Sequence, residues 1–392
     1  MDFLDIQNDE HLYMMNTYGR FNVSIESGKN SIATDVNGKE YVDFTSGIGV
    51  NSLGYCNDGY INAVNTQLNK LQHISNLYYN STQVELAKKL CTKTNLSKVF
   101  FANSGAEANE CAIKLARKYS FDKYSKKRTN IITLKNSFHG RTITTLSATG
   151  QEIMHNYFFP FNDAFSYANA NDLQSVTNLI DDNTCAVMVE LIQGEGGVYP
   201  LEKEFVQNLS KHLKEKDILL IIDEVQTGIS RTGKLFCYEN YDITPDIVTS
   251  AKGLGGGLPI GACLCSEQLK DVLSLTTHGT TFGGNPVVCA GANYILDVVS
   301  EDTFLNEVIE KGNYIREKLK KMNNVKEVRG MGLMIGVVLD KGEAKEVALK
   351  CVENGLLILT AKTLLRMLPP LNISYKEIDM GLSILEKCLQ TY

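Results

Sequence analysis

The stretch ILLIIDEVQ, residues 218–226, decides the fold of this chain. Its apolar run Ile218–Ile222 has the length of a strand and contains no polar position, which is typical of a strand buried on both faces of a parallel sheet. Similar short apolar runs end at residues 102, 134, 192 and 250, and helix-like segments separate them. This alternation predicts an α/β fold whose large domain has a mostly parallel central sheet flanked by helices.

The two ends of the chain follow a different pattern. The first 50 residues contain short alternating runs split by Asn37-Gly38, a pair typical of a hairpin turn. Beyond residue 300 the pattern predicts a helix over 304–322, strands over 334–339 and 356–359, and a last helix over 375–389. We therefore expect a smaller α+β domain built from both chain ends. The predicted segments are 1–55 as part of this small domain, 56–295 as the large cofactor-binding domain, and 296–392 as the rest of the small domain.

Composition excludes several classes of protein. Among the 392 residues, 39 Lys and Arg face 45 Asp and Glu, and a net charge of −6 argues against a nucleic-acid-binding surface. No apolar run approaches the roughly 18 residues that predict a membrane span, and the acidic first five residues do not resemble a secretory signal. The ten cysteines are scattered without metal-site spacing. We expect a cytoplasmic protein with reduced thiols, no bound metal, no nucleic acid and no membrane.

Polar or glycine-rich segments follow five of the predicted strands directly. Because the carboxyl ends of parallel strands meet at one edge of a sheet, these segments are expected to converge on one crevice, where ligands bind in such folds. The five segments are Asn103–Glu107, Ser137–Arg141, Gln193–Gly197, Asp223–Gln226 and Ala251–Gly253.

Three of these segments suit the chemistry of pyridoxal 5'-phosphate (PLP). Ser104-Gly105-Ala106 opens a predicted helix, where free N–H groups can bind a phosphate, although an ordinary helix cap explains the same residues. Lys252 follows a buried strand, and a lysine amine whose pKa is lowered by desolvation can bond to an aldehyde. Asp223 ends an apolar strand and needs a cationic partner, which a pyridinium nitrogen would supply. Aldehyde, ring nitrogen and phosphate are the three groups that PLP presents.

The chain resembles the class III, fold type I PLP-dependent aminotransferases. The likeness covers most of the chain, from Tyr41 to Pro370, and the order of its motifs is specific for the family. These motifs are Tyr41–Phe44, His73–Asn76, Asn103–Glu110, Phe138–Arg141, Gln193–Gly197, Asp223–Gln226, Thr249–Lys252, Gly279–Pro286 and Arg329–Gly332.

The resemblance implies a role for each cofactor contact. Lys252 would attach the cofactor covalently and move the proton of the substrate carbon. Asp223 would keep the ring nitrogen protonated, Gln226 would hydrogen-bond the ring oxygen, and Phe138 would stack on the ring. Thr281 of the partner subunit would reach the phosphate, so that a homodimer would be needed to complete the site. The implied cofactor contacts are Ser104, Gly105, Ala106, Phe138, Asp223, Glu224, Val225, Gln226, Lys252 and Thr281.

A second set of residues is implied for the substrates. Arg141 would bind the carboxylate far from the reacting amine, since a guanidinium matches a carboxylate with two parallel hydrogen bonds. Arg366 would bind the α-carboxylate of glutamate or 2-oxoglutarate, and Glu195 would pair with Arg366 when the substrate has no such carboxylate. Thr280 would lie beside the substrate. For both arginines a surface or packing role is the alternative.

Within the family, the chain is most similar to enzymes of arginine biosynthesis that act on N2-acetyl-L-ornithine. The implied reaction moves its δ-amino group to 2-oxoglutarate and gives N-acetyl-L-glutamate 5-semialdehyde and L-glutamate. The alternatives are ω-aminotransferases for ornithine, succinylornithine, succinyldiaminopimelate or 4-aminobutyrate, and a PLP-dependent aminomutase. Ile48, placed where ornithine enzymes usually have tyrosine, disfavours ornithine because it leaves the free α-ammonium unpaired. An aminomutase would need no clamp at Arg366.

Overall fold

The computed structural model describes residues 1–125, 128–390 and 392 of the chain. Its helices are α1 (Phe3–Tyr13), α2 (Ser46–Gly49), α3 (Asp58–Leu68), α4 (Ser81–Thr94), α5 (Gly105–Tyr124), α6 (Ile143–Ala148), α7 (Leu173–Thr177), α8 (Lys203–Glu215), α9 (Pro286–Val299), α10 (Asp302–Leu319), α11 (Ala344–Glu353) and α12 (Tyr375–Leu389). Its strands are β1 (Ile25–Lys29), β2 (Ile32–Asp35), β3 (Glu40–Asp43), β4 (Lys98–Ala102), β5 (Asn130–Leu134), β6 (Phe165–Ala168), β7 (Thr184–Val189), β8 (Ile192–Gln193), β9 (Tyr199–Pro200), β10 (Leu219–Asp223), β11 (Ile247–Ser250), β12 (Gly261–Cys265), β13 (Val325–Met331), β14 (Met334–Leu339), β15 (Leu356–Leu357), β16 (Leu359–Ala361) and β17 (Leu364–Met367).

A seven-stranded sheet forms the centre of the large domain, in the order β4-β12-β11-β10-β7-β5-β6. Strands β11, β10, β7, β5 and β6 pair in parallel, and β12 runs antiparallel to both of its neighbours, β11 and β4. Every residue of β7 and β10 is buried, as expected for strands covered by helices on both faces. The predicted α/β class with a mostly parallel sheet is confirmed, and the reversed strand β12 was not predicted.

Both chain ends meet in a second sheet, in the order β1-β2-β3-β15. The predicted hairpin around Asn37-Gly38 joins β2 to β3, and Leu356 of the C-terminal region pairs with Val42 of the N-terminal region. A third, antiparallel sheet, β13-β14-β17-β16, carries the C-terminal substrate-binding candidate Arg366. Boundaries at residues 55 and 295 stay a prediction.

Two predicted strands are shorter than their apolar runs. The run that ends at residue 192 is split, because β7 ends at Val189 and β8 begins only at Ile192. Between them Glu190 turns its carboxylate toward backbone N–H groups of two loops, which ends the strand. The predicted strand over 356–359 is likewise divided between β15 and β16.

In the part of the chain that the structure describes, no helix combines the length and apolar character needed to cross a membrane. Within those same residues, no group of three or more His, Cys, Asp or Glu side chains could hold a metal ion.

Candidate active site

The carboxyl ends of the parallel strands enclose a cavity of about 440 Å³. Residues that follow β4, β5, β7, β10 and β11 line its wall. Four of the five predicted segments converge here as expected, whereas Gln193–Gly197 does not reach the wall and Glu190 is the residue after β7 that does. Predicted site residues on this wall are Ser104, Gly105, Ala106, Phe138, Arg141, Asp223, Val225, Gln226 and Lys252.

Lys252 is presented to the cavity by an unusual backbone. It follows Ala251, just beyond β11, and its φ of +43° lies in the left-handed region, which is costly for a residue with a side chain. Burial lowers the pKa of Lys252, and the nearby Arg366 guanidinium lowers this pKa further. A lowered pKa increases the fraction of neutral amine, the form that can attack an aldehyde.

Asp223, the last residue of β10, is held in one orientation by three donors. Its Oδ2 accepts hydrogen bonds from Asn109 Nδ2 and His139 Nδ1, both at 2.8 Å, and its Oδ1 accepts the Val225 N–H at 3.0 Å. The side chain is buried yet lines the cavity. A carboxylate fixed in this way can hold a cationic group of a ligand at a defined place.

Asn109 extends this network to two further elements. It lies one turn into α5, and its Oδ1 accepts a hydrogen bond from Thr249 Oγ1 of β11 at 2.7 Å. Its amide also donates to the His139 carbonyl at 2.7 Å. Asn109 thus connects α5, β10, β11 and the loop after β5 around Asp223.

The start of α5 provides the predicted anion site. Ser104 caps the helix by accepting the N–H of Glu107 at 3.2 Å, and the first intrahelical bond runs from Ala108 to Ser104. The N–H groups of Gly105 and Ala106 precede that bond, and both residues line the cavity. A side chain at Gly105 would lie 2.6 Å from Val225, so this close packing requires glycine.

The loop after β5 carries the predicted ring-stacking and carboxylate-binding residues. Phe138 is half-buried on the cavity wall, and the exposed Arg141 places its guanidinium carbon 5.5 Å from the centre of the Phe138 ring. The cation over the ring face is a favourable contact that keeps Arg141 beside the cavity.

Arg366 and Glu195 form an ion pair next to this cavity. Arg366 Nη1 donates to Glu195 Oε1 at 2.6 Å and to Gln226 Oε1 at 3.3 Å. Arg366, in β17, is only 3% exposed, whereas the Glu195 side chain is 30% exposed. The Arg366 Nε is buried and has no hydrogen-bond partner among the described residues. The Nε–H of Arg366 is therefore available to bind a ligand, and the partly exposed Glu195 side chain can move away from the guanidinium.

Besides Glu195 and Arg366, which lie next to the cavity, three more predicted residues lie away from its wall. Glu224 points into the core, where it accepts hydrogen bonds from Thr227 and from the Tyr238 N–H, and burial raises its pKa to about 7. Thr280 is connected to the wall through Asn103, whose Nδ2 lies 3.1 Å from Thr280 Oγ1. Thr281 is exposed on the same loop. Their roles toward the cofactor and the substrate stay predictions.

Sequence reasoning gave no role to three residues that the structure places on the wall. His139 hydrogen-bonds directly to Asp223. Asn109 lies inside a motif without an assigned role, and Glu190 lies inside an apolar run. A buried polar residue one helical turn after the anion site was the available signal for Asn109. Ile48 is not on the wall, whereas Val50 of the same turn is.

A sequence model of the family described as "Aminotransferase class-III" matches residues 13–389. The chain belongs to the class III aminotransferases. Among curated relatives, the acetylornithine aminotransferase of Haemophilus ducreyi is 49% identical over 379 residues, which are 96% of each chain.

Solved structures of class III aminotransferases share the fold over nearly the whole chain. The ornithine aminotransferase from Toxoplasma gondii ME49 superposes with a TM-score of 0.95 at 31% identity, covering 100% of this chain and 96% of that one. The N-acetylornithine aminotransferase from Stenotrophomonas maltophilia K279a gives a TM-score of 0.85 at 34% identity, covering 98% of both.

The cofactor of this class III aminotransferase is PLP, and the cavity fits it. An amine with lowered pKa, a buried carboxylate and the free N–H groups of a helix start line one space, as the aldehyde, the ring nitrogen and the phosphate require. Lys252, Asp223, and Gly105 with Ala106 are the residues that would hold these three groups. When bound, PLP accepts the electron pair left on the substrate carbon after its proton is removed.

Proposed function

We propose that this chain transfers the δ-amino group of N2-acetyl-L-ornithine to 2-oxoglutarate, giving N-acetyl-L-glutamate 5-semialdehyde and L-glutamate. The observation that carries the proposal is the ion pair between the buried Arg366 and the partly exposed Glu195 beside the cavity. Relatives named acetylornithine aminotransferase, 43–49% identical over nearly the whole chain, support the same reaction.

The ion pair lets one site accept two unlike substrates in turn. Acetylornithine has one carboxylate, remote from its δ-amine, and Arg141 binds it. Glutamate has a second carboxylate beside its reacting amine, and Arg366 binds that one after Glu195 has moved aside. With acetylornithine in the site, Glu195 stays on Arg366, so that the guanidinium charge is not left without a partner.

The remaining residues bind, orient and transfer protons. The Lys252 amine would take the proton from the reacting carbon of the substrate and deliver it to C4′ of the cofactor within the same half-reaction, and the second half-reaction would use the same transfer in the opposite direction. Asp223, fixed by His139 and Asn109, keeps the ring nitrogen of the cofactor protonated. Phe138 would cover the ring, and Gln226, which accepts a hydrogen bond from Arg366, would hydrogen-bond the ring oxygen.

Transamination of ornithine is the second candidate function, and the fit to the Toxoplasma gondii ornithine enzyme favours it. Ornithine would bring a free α-ammonium into the cavity, where it needs an acceptor. The apolar side chains of Val50, Leu258 and Ile260 contribute to the cavity wall. An apolar wall suits the acetyl group and disfavours an unpaired ammonium.

The chain is proposed to work as a homodimer. Asn76 Nδ2 donates to the Gly283 carbonyl at 2.9 Å, which joins the loop over 72–79 to the loop that carries Thr280 and Thr281. The two loops expose several large apolar side chains, as protein interfaces do. These side chains are Leu77, Tyr78, Tyr79, Leu275 and Phe282.

The dimer is tested by mass in solution. Light scattering should give twice the chain mass of 43.5 kDa, and the double variant Leu77→Glu, Tyr79→Glu should shift toward the monomer and lose activity. A fully active monomer would contradict the proposal.

A cytoplasmic location is proposed as well, because all ten cysteines are free thiols and eight are buried.

A panel of amino donors tests the reaction. PLP-loaded protein is mixed with 2-oxoglutarate and with acetylornithine, ornithine, succinylornithine, succinyldiaminopimelate or 4-aminobutyrate, and glutamate formation is followed. Acetylornithine should give the highest kcat/KM, and Lys252→Ala should give none with any donor. A higher kcat/KM with ornithine would replace the proposal by the second candidate.

A further inference from the structure

Glu190 follows β7 at the centre of the large sheet, and the proposed function leaves it without a role. Its side chain is 5% exposed, and it lines the cavity beside Asp223 and His139. A buried carboxylate is costly unless donors satisfy its oxygens. Its donors therefore indicate what the residue is for.

Each oxygen of Glu190 accepts a backbone N–H from a different loop. Oε2 lies 2.9 Å from the N of Phe138, in the loop after β5. Oε1 lies 3.3 Å from the N of Gly194, in the loop between β8 and β9. The first loop continues to Arg141, and the second continues to Glu195. One carboxylate thus joins the loops that carry Arg141 and Glu195, two of the three groups through which the proposed function controls binding of the substrate carboxylates.

Gly194 connects this junction to the third such group. A Cβ on Gly194 would lie 2.4 Å from Oε1 of Gln226, so the loop backbone lies directly against that side chain. Oε1 of Gln226 is also the atom that accepts from Arg366. A displacement of Gly194 would consequently move Glu195 and disturb the Gln226 contact of Arg366.

We propose that Glu190 is a positioning residue for both substrate carboxylates. Its two oxygens fix the backbones of Phe138 and Gly194, so that Arg141 on one side and the Glu195–Arg366 pair on the other face the same cavity. The inference rests on the proposed function for the roles of those side chains. The two hydrogen bonds are a property of the chain and can be tested without substrate.

The chemistry of the residue supports this role and guides the choice of variants. Burial raises the pKa of Glu190 to about 7, with a further contribution from the Asp223 carboxylate. Glutamine would avoid the cost of the buried charge, but its NH2 group cannot accept the second N–H. Retaining the acid in spite of that cost is consistent with a need for two acceptors at one point.

Hydrogen exchange in the PLP-free chain tests the two bonds directly. Glu190→Leu removes both acceptors, and Glu190→Gln, the milder change, keeps one. Asp246→Asn is the matched control, because Asp246 lies at the opposite end of the same sheet, accepts the Leu220 N–H at 2.8 Å and also has a pKa raised by burial.

In Glu190→Leu, peptides containing the amides of Phe138 and Gly194 should exchange at least tenfold faster than in the wild type. In Glu190→Gln, at least one of these two peptides should also exchange at least tenfold faster than in the wild type. Asp246→Asn should accelerate exchange at Leu220 and leave those two peptides unchanged. Unchanged protection of both peptides in Glu190→Gln would overturn the proposal, even if Glu190→Leu did not fold.

Kinetics of the PLP-loaded enzyme separate positioning from general destabilisation. Glu190→Gln should lower kcat/KM at least tenfold in both half-reactions, whereas Asp246→Asn should not. In the double variant Glu190→Gln, Arg141→Ala, the fold-decrease in kcat/KM should be smaller than the product of the two single decreases, because removing Arg141 has little further effect once its position is lost. Multiplicative losses would overturn the proposal. If the wild type transaminated no donor, the proposed function would fail while the exchange result still stood.

Discussion

His139 Nδ1 and Asp223 Oδ2 lie 2.8 Å apart, and both side chains are buried at the edge of the cavity. Together with Asn109, the histidine fixes the orientation of this carboxylate on the cavity wall, where the cofactor would bind. This fixed orientation matters because a preorganised charge stabilises a developing charge without the cost of reorientation.

Asp223→Asn should therefore abolish most of the activity while the fold is kept. The amide preserves shape but not charge, so the ring nitrogen of the cofactor is no longer held protonated and its capacity to accept electrons falls. We expect kcat to fall about 10³-fold, the effect of removing one preorganised group. Single-turnover rates with acetylornithine measure it, with circular dichroism as the check on folding. A loss below tenfold would mean that Asp223 does not face the ring.

Lys252→Ala tests the covalent attachment. Reduction of wild-type holoenzyme with borohydride should fix PLP on a peptide containing Lys252, which mass spectrometry identifies. The alanine variant should still bind PLP through Asp223 and the start of α5, but should transaminate at a negligible rate, since the proton-transferring amine is missing. Fixation on another lysine, or near-normal turnover of the variant, would contradict the assignment.

Glu224 provides a test through pH-dependent stability. Its pKa is about 7 in the folded chain against 4.5 ordinarily, so the folded state keeps a proton that the unfolded chain releases. Wild-type stability should therefore fall as the pH rises from 4.5 through 7, by about 3 kcal/mol for this group. In Glu224→Gln, this contribution to the fall in stability with rising pH should be absent.

Thermal unfolding of the PLP-free chain at pH 4.5, 6 and 8 measures the effect of Glu224. The stability of Glu224→Gln relative to the wild type should increase with pH. The exposed Glu239, replaced by glutamine, is measured in parallel as the control for loss of a carboxylate outside the core. A pH-independent difference for Glu224→Gln would show that its carboxyl ionises normally in the fold.

Glu195→Ala should change the preference between the two substrates. Without its carboxylate, the Arg366 guanidinium keeps, among the residues that the structure describes, only the hydrogen bond to Gln226 and is open to the α-carboxylate of glutamate. The glutamate half-reaction should be preserved or faster, and the acetylornithine half-reaction slower, because a buried guanidinium would face the substrate without a counter-charge. The ratio of the two single-turnover efficiencies measures this, with Glu195→Gln as the conservative comparison. An unchanged ratio would leave Glu195 as a structural acid.

Local sequence signals predicted much of the fold. Strand β14 and helix α12 begin and end at the predicted residues, and α12 starts with a capping box in which Ser374 and Glu377 bond reciprocally. The reversed direction of β12 was missed because strand direction is set by distant pairing partners. Glu190 was missed because an acid inside an apolar run has no local signal that its oxygens bind two separate loops. Contacts of this kind depend on tertiary placement.

The central claim is that one cavity serves two unlike substrates through two arginines, and single-turnover rates of each half-reaction test it most directly. The absorbance of the bound cofactor is followed after mixing with acetylornithine or with glutamate. Arg141→Ala should slow both half-reactions, because both substrates carry the remote carboxylate. Arg366→Ala should lower the glutamate efficiency about 10- to 150-fold, as expected for a lost charge-assisted contact of about 1.5–3 kcal/mol, and largely spare acetylornithine. Equal damage to both halves by Arg366→Ala would contradict the account.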